Sequence, residues 1–251
     1  MEETFEPLVA PSLKDVFVDR MEALILSGRY AAGVRLPSER DLATQLGVSR
    51  PVVHAGLAEL EARGLVTMRP RVGTVVNDIR KDGSLAVLTS LIHFHQEDLD
   101  PELLDSMLQM RRLFEVETAR LAACYRTDED VAALKALIER EAAADPADVA
   151  AVTALDFQFH HTVAIASRNA VYPMLIKSFE PGYTHFSGLF FRDPAVAPLV
   201  FEMHEKLYDA IRSRGTRRAE ELMRRLLDHG REALMARLQL ERPAGDEGEQ
   251  G

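Results

Sequence analysis

Residues 36–76, LPSERDLATQLGVSRPVVHAGLAELEARGLVTMRPRVGTVV, constrain the fold more tightly than any other stretch of this chain. Ser38 is placed to cap a short helix, with Asp41 three residues on as the reciprocal carboxylate, and Gly47-Val48 ends that helix before Ser49 caps the next. On the second helix Val53, Leu57 and Leu60 recur at helical spacing and pack inward. Arg50 and His54, four residues apart, are left on the outward face. Past Gly64, alternation over Leu65–Arg69 and again over Gly73–Val76 predicts two short strands joined by the tip Arg69-Pro70-Arg71. Helix, tight turn, helix and basic β-wing, in that order, is DNA-reading architecture: Arg50 and His54 meet bases or phosphates, and the wing tip enters an adjacent groove. Each piece alone has a plainer reading, since capping boxes are common and a wing-tip arginine can simply be solvated. The order is what points to nucleic acid.

Upstream, Leu13, Val16, Phe17, Met21, Leu24 and Ile25 form one helical stripe that completes a three-helix core, so residues 11–78 read as a winged helix-turn-helix domain. The polar run NDIRKDGS over Asn77–Ser84 contains the linker, placed at 79–84. A chain of 251 residues leaves room for a second core. With 30 basic against 40 acidic residues the whole carries −10, which would repel nucleic acid if spread evenly. Between Arg29 and Arg71, however, seven arginines face four carboxylates (Glu39, Asp41, Glu59 and Glu61), a local +3 that fits one module touching phosphate. The single cysteine, Cys124, is read as a buried helical residue; it excludes an internal disulfide framework and fits a reducing compartment. No apolar run approaches the roughly 20 residues that cross a bilayer, and Met-Glu-Glu lacks the basic start of a signal peptide. A cytoplasmic protein without a membrane partner is expected.

Beyond the linker the chain reads as helix throughout: near Leu85–Gln96, Pro101–Tyr125, Asp128–Ala144, Asp148–Ser167, Val171–Phe179, Val196–Ser213 and Arg217–Leu240, with Thr127 and Thr216 at cap positions. The fold class is therefore mainly α, a winged helix-turn-helix followed by an all-α bundle over 85–240. Residues 241–251, charged and glycine-rich, are expected to be a disordered tail.

Polar residues fall inside the apolar stripes of this bundle. Asp156 and His160 lie within about 40° of each other and share a face with Val152, Phe159 and Val163. His204 lies among Val200, Leu207, Tyr208 and Ile211, and His229 among Leu222, Leu226 and Ala233. A buried carboxylate and imidazole need partners, because leaving either unpaired costs several kcal/mol. The partners can be hydrogen bonds within the core. They can equally be a shared divalent ion, for which one carboxylate and three imidazoles would suit zinc, nickel or manganese. Arg111 lies near the apolar stripe of Leu104, Met107, Phe114 and Leu121, with Glu115 one turn on. Either the two pair internally, or the arginine receives a ligand carboxylate bidentately.

LPSERDLATQLGVSR, followed by LEARGLV and GTVV, resembles the N-terminal domain of GntR-family transcription regulators over about residues 11–78. RRLFEVETARLAACYRTDEDVAAL, DFQFHHTVAIASRNAVYPML and HEKLYDAI resemble the effector-binding FCD domain of the FadR-like branch over about residues 84–240. The resemblance implies a regulator whose operator affinity is set by a small metabolite, a carboxylate or an acyl compound, held in the helical domain. By that match Asp156, His160 and His204 are metal ligands, Arg111 a pocket arginine and Asn169 a structural or pocket residue. The family's final histidine falls at Leu226, while His229 lies three residues later; relatives without a metal bind larger acyl-CoA ligands instead. Where the family has Arg-Glu-Ala-Leu this chain has His54-Ala55-Gly56-Leu57. A reference imidazole titrates near 6.5 and is mostly neutral at pH 7, and a glycine inside a helix costs about 1 kcal/mol against alanine. Altered operator specificity or weaker binding follows.

The expected DNA contacts are Arg40, Arg50, His54 and wing Arg71, with Ser38, Ser49 and the wing's Gly73 supporting them through hydroxyls or backbone amides. One small winged helix buries little DNA surface, so a homodimer on a double-stranded palindrome is expected. Two competing classes remain: a metal-dependent hydrolase with the N-terminal domain as a targeting module, and a sensor whose effector is the ion itself.

Overall fold

The computed structural model describes residues 11–94 and 101–241, and the chain divides into two compact units, 1–94 and 95–251. The first unit holds α1 (Leu13–Leu26), α2 (Glu39–Leu46), α3 (Arg50–Arg63), β1 (Val66–Arg69), β2 (Gly73–Val76), α4 (Ile79–Asp82) and α5 (Leu85–Phe94). The two strands pair antiparallel, Val66 opposite Val76 and Arg69 opposite Gly73. Ser38 caps α2, accepting from the Asp41 N–H at 3.2 Å while its hydroxyl donates to the Asp41 carboxylate at 2.7 Å. Ser49 departs from expectation: it occupies the N-cap of α3 with extended backbone, yet its side chain makes no capping bond. Pro51, two residues on, has no N–H to offer it.

The core of this unit gathers Phe17, Val18, Met21 and Ile25 of α1, Leu42 of α2, Val53, Leu57 and Leu60 of α3, and Val66 and Val76 of the wing. Leu13 and Val16, expected on the α1 stripe, are exposed. At 100° per residue the buried arc runs from Phe17 through Met21 and Ile25 to Val18, which turns those two off its edge. Helix α5 also differs from expectation. Its Val87 is buried in this core with Leu91 packed alongside, so residues 85–94 fold with the first unit and not with the helical domain. The expected linker is itself partly helical: Asp78 caps α4, and Ile79 packs on the same core.

The second unit holds α6 (Pro101–Tyr125), α7 (Asp128–Ala143), α8 (Val149–Ala166), α9 (Tyr172–Ser178), α10 (Glu180–Phe190), α11 (Val196–Arg212) and α12 (Thr216–Glu241). Alanines 119, 122, 123, 166, 197, 210 and 219 lie fully inside, letting helix backbones approach closely around Phe159, Phe191, Leu207 and Met223. Thr127 and Asp130 form a capping box at α7, whereas Thr216 is the first residue of α12. Helix α10 had no sequence signal, because Pro181, Gly182 and Gly188 read as breakers. Pro181 instead sits in the first turn, where its missing N–H is not needed. Cys124, expected buried, is exposed; Ala122 and Ala123 take the inward positions beside it. The expected tail lies outside the described residues except for Glu241, where α12 ends.

Gly56 in α3 has a packing reason. It is buried, and a Cβ there would lie 2.3 Å from Cδ1 of Phe17, a ring that is itself 3% exposed. The helix-propensity cost is thus set against a close ring-to-backbone contact between α1 and α3. Gly56→Ala is therefore expected to destabilise the protein by about 1–2 kcal/mol despite alanine's better propensity. The loss should be largely absent in a Phe17→Ala background, as read by thermal melting of the four proteins of the double-mutant cycle. A rise in Tm for Gly56→Ala alone would show that the contact does not matter.

Candidate nucleic-acid interface and ligand pocket

The outward face of α3 carries Arg50 and His54, both exposed, and both turn toward Glu39 at the start of α2. His54 Nδ1 lies 2.8 Å from Glu39 Oε1, and the Arg50 guanidinium 3.9 Å from Oε2. Arg40, next along α2, is still more exposed. The far end of α3 is locked: Arg63 bridges to Glu22 of α1 and to Glu59, and Lys14 donates to Glu59 at 2.5 Å. At the wing tip Arg71 adopts a left-handed backbone (φ 65°), and the Val72 N–H donates to the Arg69 carbonyl at 3.1 Å. Gly73 has φ 107°, and a Cβ there would stand 2.8 Å from Arg35 Nε, so glycine lets Arg35 run against the wing. Serines, arginines, histidine and wing thus occupy one continuous run of elements, as the motif order implies.

In the second unit a cavity of about 90 Å³, counted as volume open to the centres of water-sized molecules, is walled by α6, α8, α10 and α12. A single water needs roughly 10–15 Å³ on that measure, so the space suits a ligand of several heavy atoms. Most of the wall is apolar, with Leu104, Met107, Phe114, Phe186 and Leu227 on it; Arg111, Glu115, His160 and Tyr183 gather around Asp156, while Ser187 and Arg231, the latter paired with Asp105, also line it. Asp156 and His160, one turn apart on α8, and His204 on α11 are all buried, and their donor atoms lie within 4.8 Å of one another. Both imidazoles point Nε2 at Asp156 Oδ1, His160 from 3.8 Å and His204 from 3.6 Å. Each is held from behind at Nδ1 by a carboxylate: His204 by Glu141 at 2.9 Å, His160 by Glu115 in close contact. Phe159 stacks on the His204 ring at a 3.9 Å centroid distance.

Arg111 realises its internal pair, Nε to Glu115 at 2.5 Å, and also donates to the Tyr183 hydroxyl at 2.7 Å, which in turn donates to Asp156 Oδ2 at 2.6 Å. Burial would raise the Glu115 carboxyl, but Arg111 and His160 hold it down at about 2. Burial pushes Glu141 up from the ordinary carboxylate range, with His204 opposing, and lifts the Tyr183 phenol well above its usual value. Sequence reasoning missed Glu141 and Tyr183, which come from 63 residues before His204 and 27 after Asp156. Asn169 does not line the cavity. Its side-chain carbonyl accepts from the Val171 N–H at 2.9 Å and shapes the turn into α9, the structural alternative. His229 lies outside the Asp156 group and meets the ring of Phe190 edge-on, 6.1 Å between centroids, while Leu226 lines the cavity.

A winged helix-turn-helix followed by a helical domain with a polar-ended internal cavity defines a ligand-responsive DNA-binding regulator. The comparisons agree: residues 13–76 match the model described as "Bacterial regulatory proteins, gntR family", and residues 106–229 match the FCD domain. The chain belongs to the GntR family of bacterial transcription regulators and carries an FCD domain. It is 31% identical, over 79% of its length and 77% of the relative's, to the Escherichia coli K12 protein provisionally named L-lactate dehydrogenase operon regulatory protein. To the fatty acid metabolism regulator protein of Enterobacter sp. strain 638 it is 28% identical, covering 76% and 82% of the two chains. A solved structure described as Lar, which controls expression of the Listeria monocytogenes agr system, has a TM-score of 0.62 at 16% identity, covering 91% of this chain and 99% of that one; it shares the fold. The family and these relatives are regulators of transcription, not enzymes. No helix among the described residues is long and apolar enough to cross a membrane.

The Glu39 carboxylate beside His54 and Arg50 tempers the positive field of the reading face. His54→Arg should therefore strengthen DNA binding and steepen the dependence of log K on log[salt] by about 0.9 per chain. Arg50→Ala should lower that slope by a similar amount and remove specific protection of the operator. Salt titrations with operator and scrambled duplexes would measure both; an unchanged footprint for Arg50→Ala would remove α3 from the interface.

Proposed function

We propose that this regulator works in the cytoplasm as a homodimer on a palindromic operator. In this reading Arg40, Arg50, His54 and Arg71 contact DNA, Ser38, Ser49 and Gly73 present hydroxyl or backbone donors to phosphate, and a carboxylate effector sets the affinity. The same reading assigns Asp156, His160 and His204 to a divalent cation, zinc, nickel or manganese, and Arg111 to the effector carboxylate.

The observation that carries the metal assignment is the paired arrangement of the two histidines. Each has Nδ1 fixed by a carboxylate and Nε2 aimed at one oxygen of Asp156, the way ligating imidazoles are oriented by outer carboxylates. His204 Nε2 is buried without a hydrogen-bond partner, a cost that an ion at the centre would remove. The donor spacings of 3.6 and 3.8 Å are close to the about 3.3 Å separation of tetrahedral donors with bonds near 2.0–2.1 Å. Glu115 and Asp156 lie against the one guanidinium of Arg111 and Glu141 behind His204, so a divalent cation also suits the local charge. When bound, the ion would supply a Lewis-acid anchor for an anionic oxygen. Around it Tyr183 holds the second oxygen of Asp156, and Arg111 presents a cation to the cavity.

The apolar remainder of the cavity supports an aliphatic tail on the effector, and one relative is named for fatty acid metabolism. The effector acts by population shift, changing operator affinity only by its differential binding to two arrangements of the protein.

Metal analysis of the purified chain should find about one divalent ion per protomer. Asp156→Ala and His204→Ala should each weaken metal binding by tenfold to a hundredfold or more, with the helical circular dichroism retained. Full metal occupancy in both variants would sink the assignment, and a metal-independent effector response would do the same for the ion's part in sensing.

A further inference from the structure

Glu39 is the first residue of α2, where the helix dipole favours a carboxylate whatever lies nearby. Its side chain does more than meet that dipole: Oε1 comes to 2.8 Å from Nδ1 of His54, and Oε2 stands 3.9 Å from the Arg50 guanidinium. A carboxylate at neutral pH can only accept, so the imidazole proton is on Nδ1 and Nε2 carries the lone pair. His54 is nonetheless 62% exposed, and its Nε2 makes no hydrogen bond among the described residues. Charged groups on the other elements packed around α3 are engaged elsewhere. Arg40 lies near Asp41, Lys14 of α1 donates to Glu59, Arg63 bridges to Glu22, and Glu61 accepts from the Met68 N–H. The imidazole is left with Glu39 across the turn and Arg50 one turn back on its own helix.

We propose that Glu39 is a specificity-determining residue: it fixes the tautomer of His54 and so sets which base edge the imidazole reads, and protonation of His54 exchanges that preference for another. The proposal rests on the placement of α3 in the DNA interface made above, and adds to it a second residue and a class of base. In the Nδ1–H form Nε2 is an acceptor, and the major-groove groups that can donate to it are the amino groups at adenine N6 and cytosine N4. Once protonated, the ring offers Nε2–H as a donor, which matches guanine O6 and N7. Without Glu39 both neutral tautomers are open to the ring, and Nε2 presents an acceptor or a donor without preference. Glu39 also places a negative charge on the reading face, so it lowers affinity for phosphate while it narrows the choice of base.

The test uses the full chain and a pool of random double-stranded DNA, from which bound duplexes are selected and sequenced at about pH 8 and about pH 6, on either side of the reference imidazole titration. All eight histidines of the chain can titrate across that interval, so the readout is the base preference at each position and not affinity alone. At one position of the recovered motif, or one in each half of a palindrome, the wild type should prefer adenine or cytosine at the higher pH and shift at least about fivefold toward guanine at the lower one. His54→Gln, which takes up no proton, should lose the shift. Glu39→Ala should bind DNA more tightly yet relax that one position at the higher pH. Glu39→Gln, whose carbonyl still accepts from Nδ1–H, should keep the preference while sharing the gain in affinity, which separates positioning from charge. If the preference is the same at both pH values, or survives Glu39→Ala intact, while His54→Ala still alters that position, the proposal is overturned and His54 stays in the interface. If His54→Ala changes neither motif nor affinity, His54 leaves the interface and the proposal falls with that placement.

Discussion

A carboxylate withdrawn from water has to be compensated, and the second unit is arranged around that requirement at Asp156. Helix α8 supplies Asp156 and His160, α11 supplies His204, α10 the Tyr183 hydroxyl, α6 the Arg111-Glu115 pair and α7 Glu141. Stability alone is a poor reason for such a cluster. Replacing a buried ionic network by apolar side chains of similar volume is often neutral or stabilising by about 1–4 kcal/mol, whereas removing one member strands the others. Seven polar groups kept in this core are what the binding role proposed above would require, and alanine-rich packing surrounds them.

The first unit divides α3 into a fixed end and an exposed cationic end, the one proposed above to read DNA. Arg63, Glu59, Glu22 and Lys14 tie its C-terminal half to α1, and Gly56 lets the Phe17 ring settle against its backbone. At the N-terminal end the Ser49 side chain is not spent on a cap, and the exposed Arg50 and His54 turn toward Glu39. Affinity for phosphate comes from net positive charge, whereas base selection comes from donors and acceptors held in one orientation. In the proposed interface Glu39 would weaken the former and, by holding His54 at Nδ1, favour the latter.

What could be read from the sequence was what is local. The Ser38 and Thr127 caps, the Gly47 break, the wing and the one-turn spacings Asp156-His160 and Arg111-Glu115 all lie within a few residues, and each sits where its spacing implies. The features that escaped are non-local. Phe17 and Gly56 are brought together by helix packing, Glu141 reaches His204 across two helices, and Tyr183 arrives on a helix whose proline and glycines hid it. Periodicity also finds a face without saying what covers it, which is why α5 was expected with the helical domain although Val87 covers the first core. Asn169 shows the converse: its hydrogen bonds are to backbone two and three residues on, a turn-forming role that needs no pocket.

A ligand in the cavity can influence DNA binding only as far as its affinity differs between two arrangements of the walls. The walls are unequal in this respect. Around Asp156, opening the structure would strand buried carboxylates and imidazoles, at a cost of several kcal/mol. Along the seam of α6 with α12 the polar ties are Arg112 to Asp228 and Arg231 to Asp105, half-exposed pairs that water screens and that add little to stability. Between them the seam is apolar, with Leu104, Leu108, Leu227 and Leu234 on the cavity, and such contacts re-form after a small slide of one helix on another. The polar end is thus the constant part of the pocket, suited to recognising a charged group. The α6–α12 seam is the part whose packing a ligand's tail can bias.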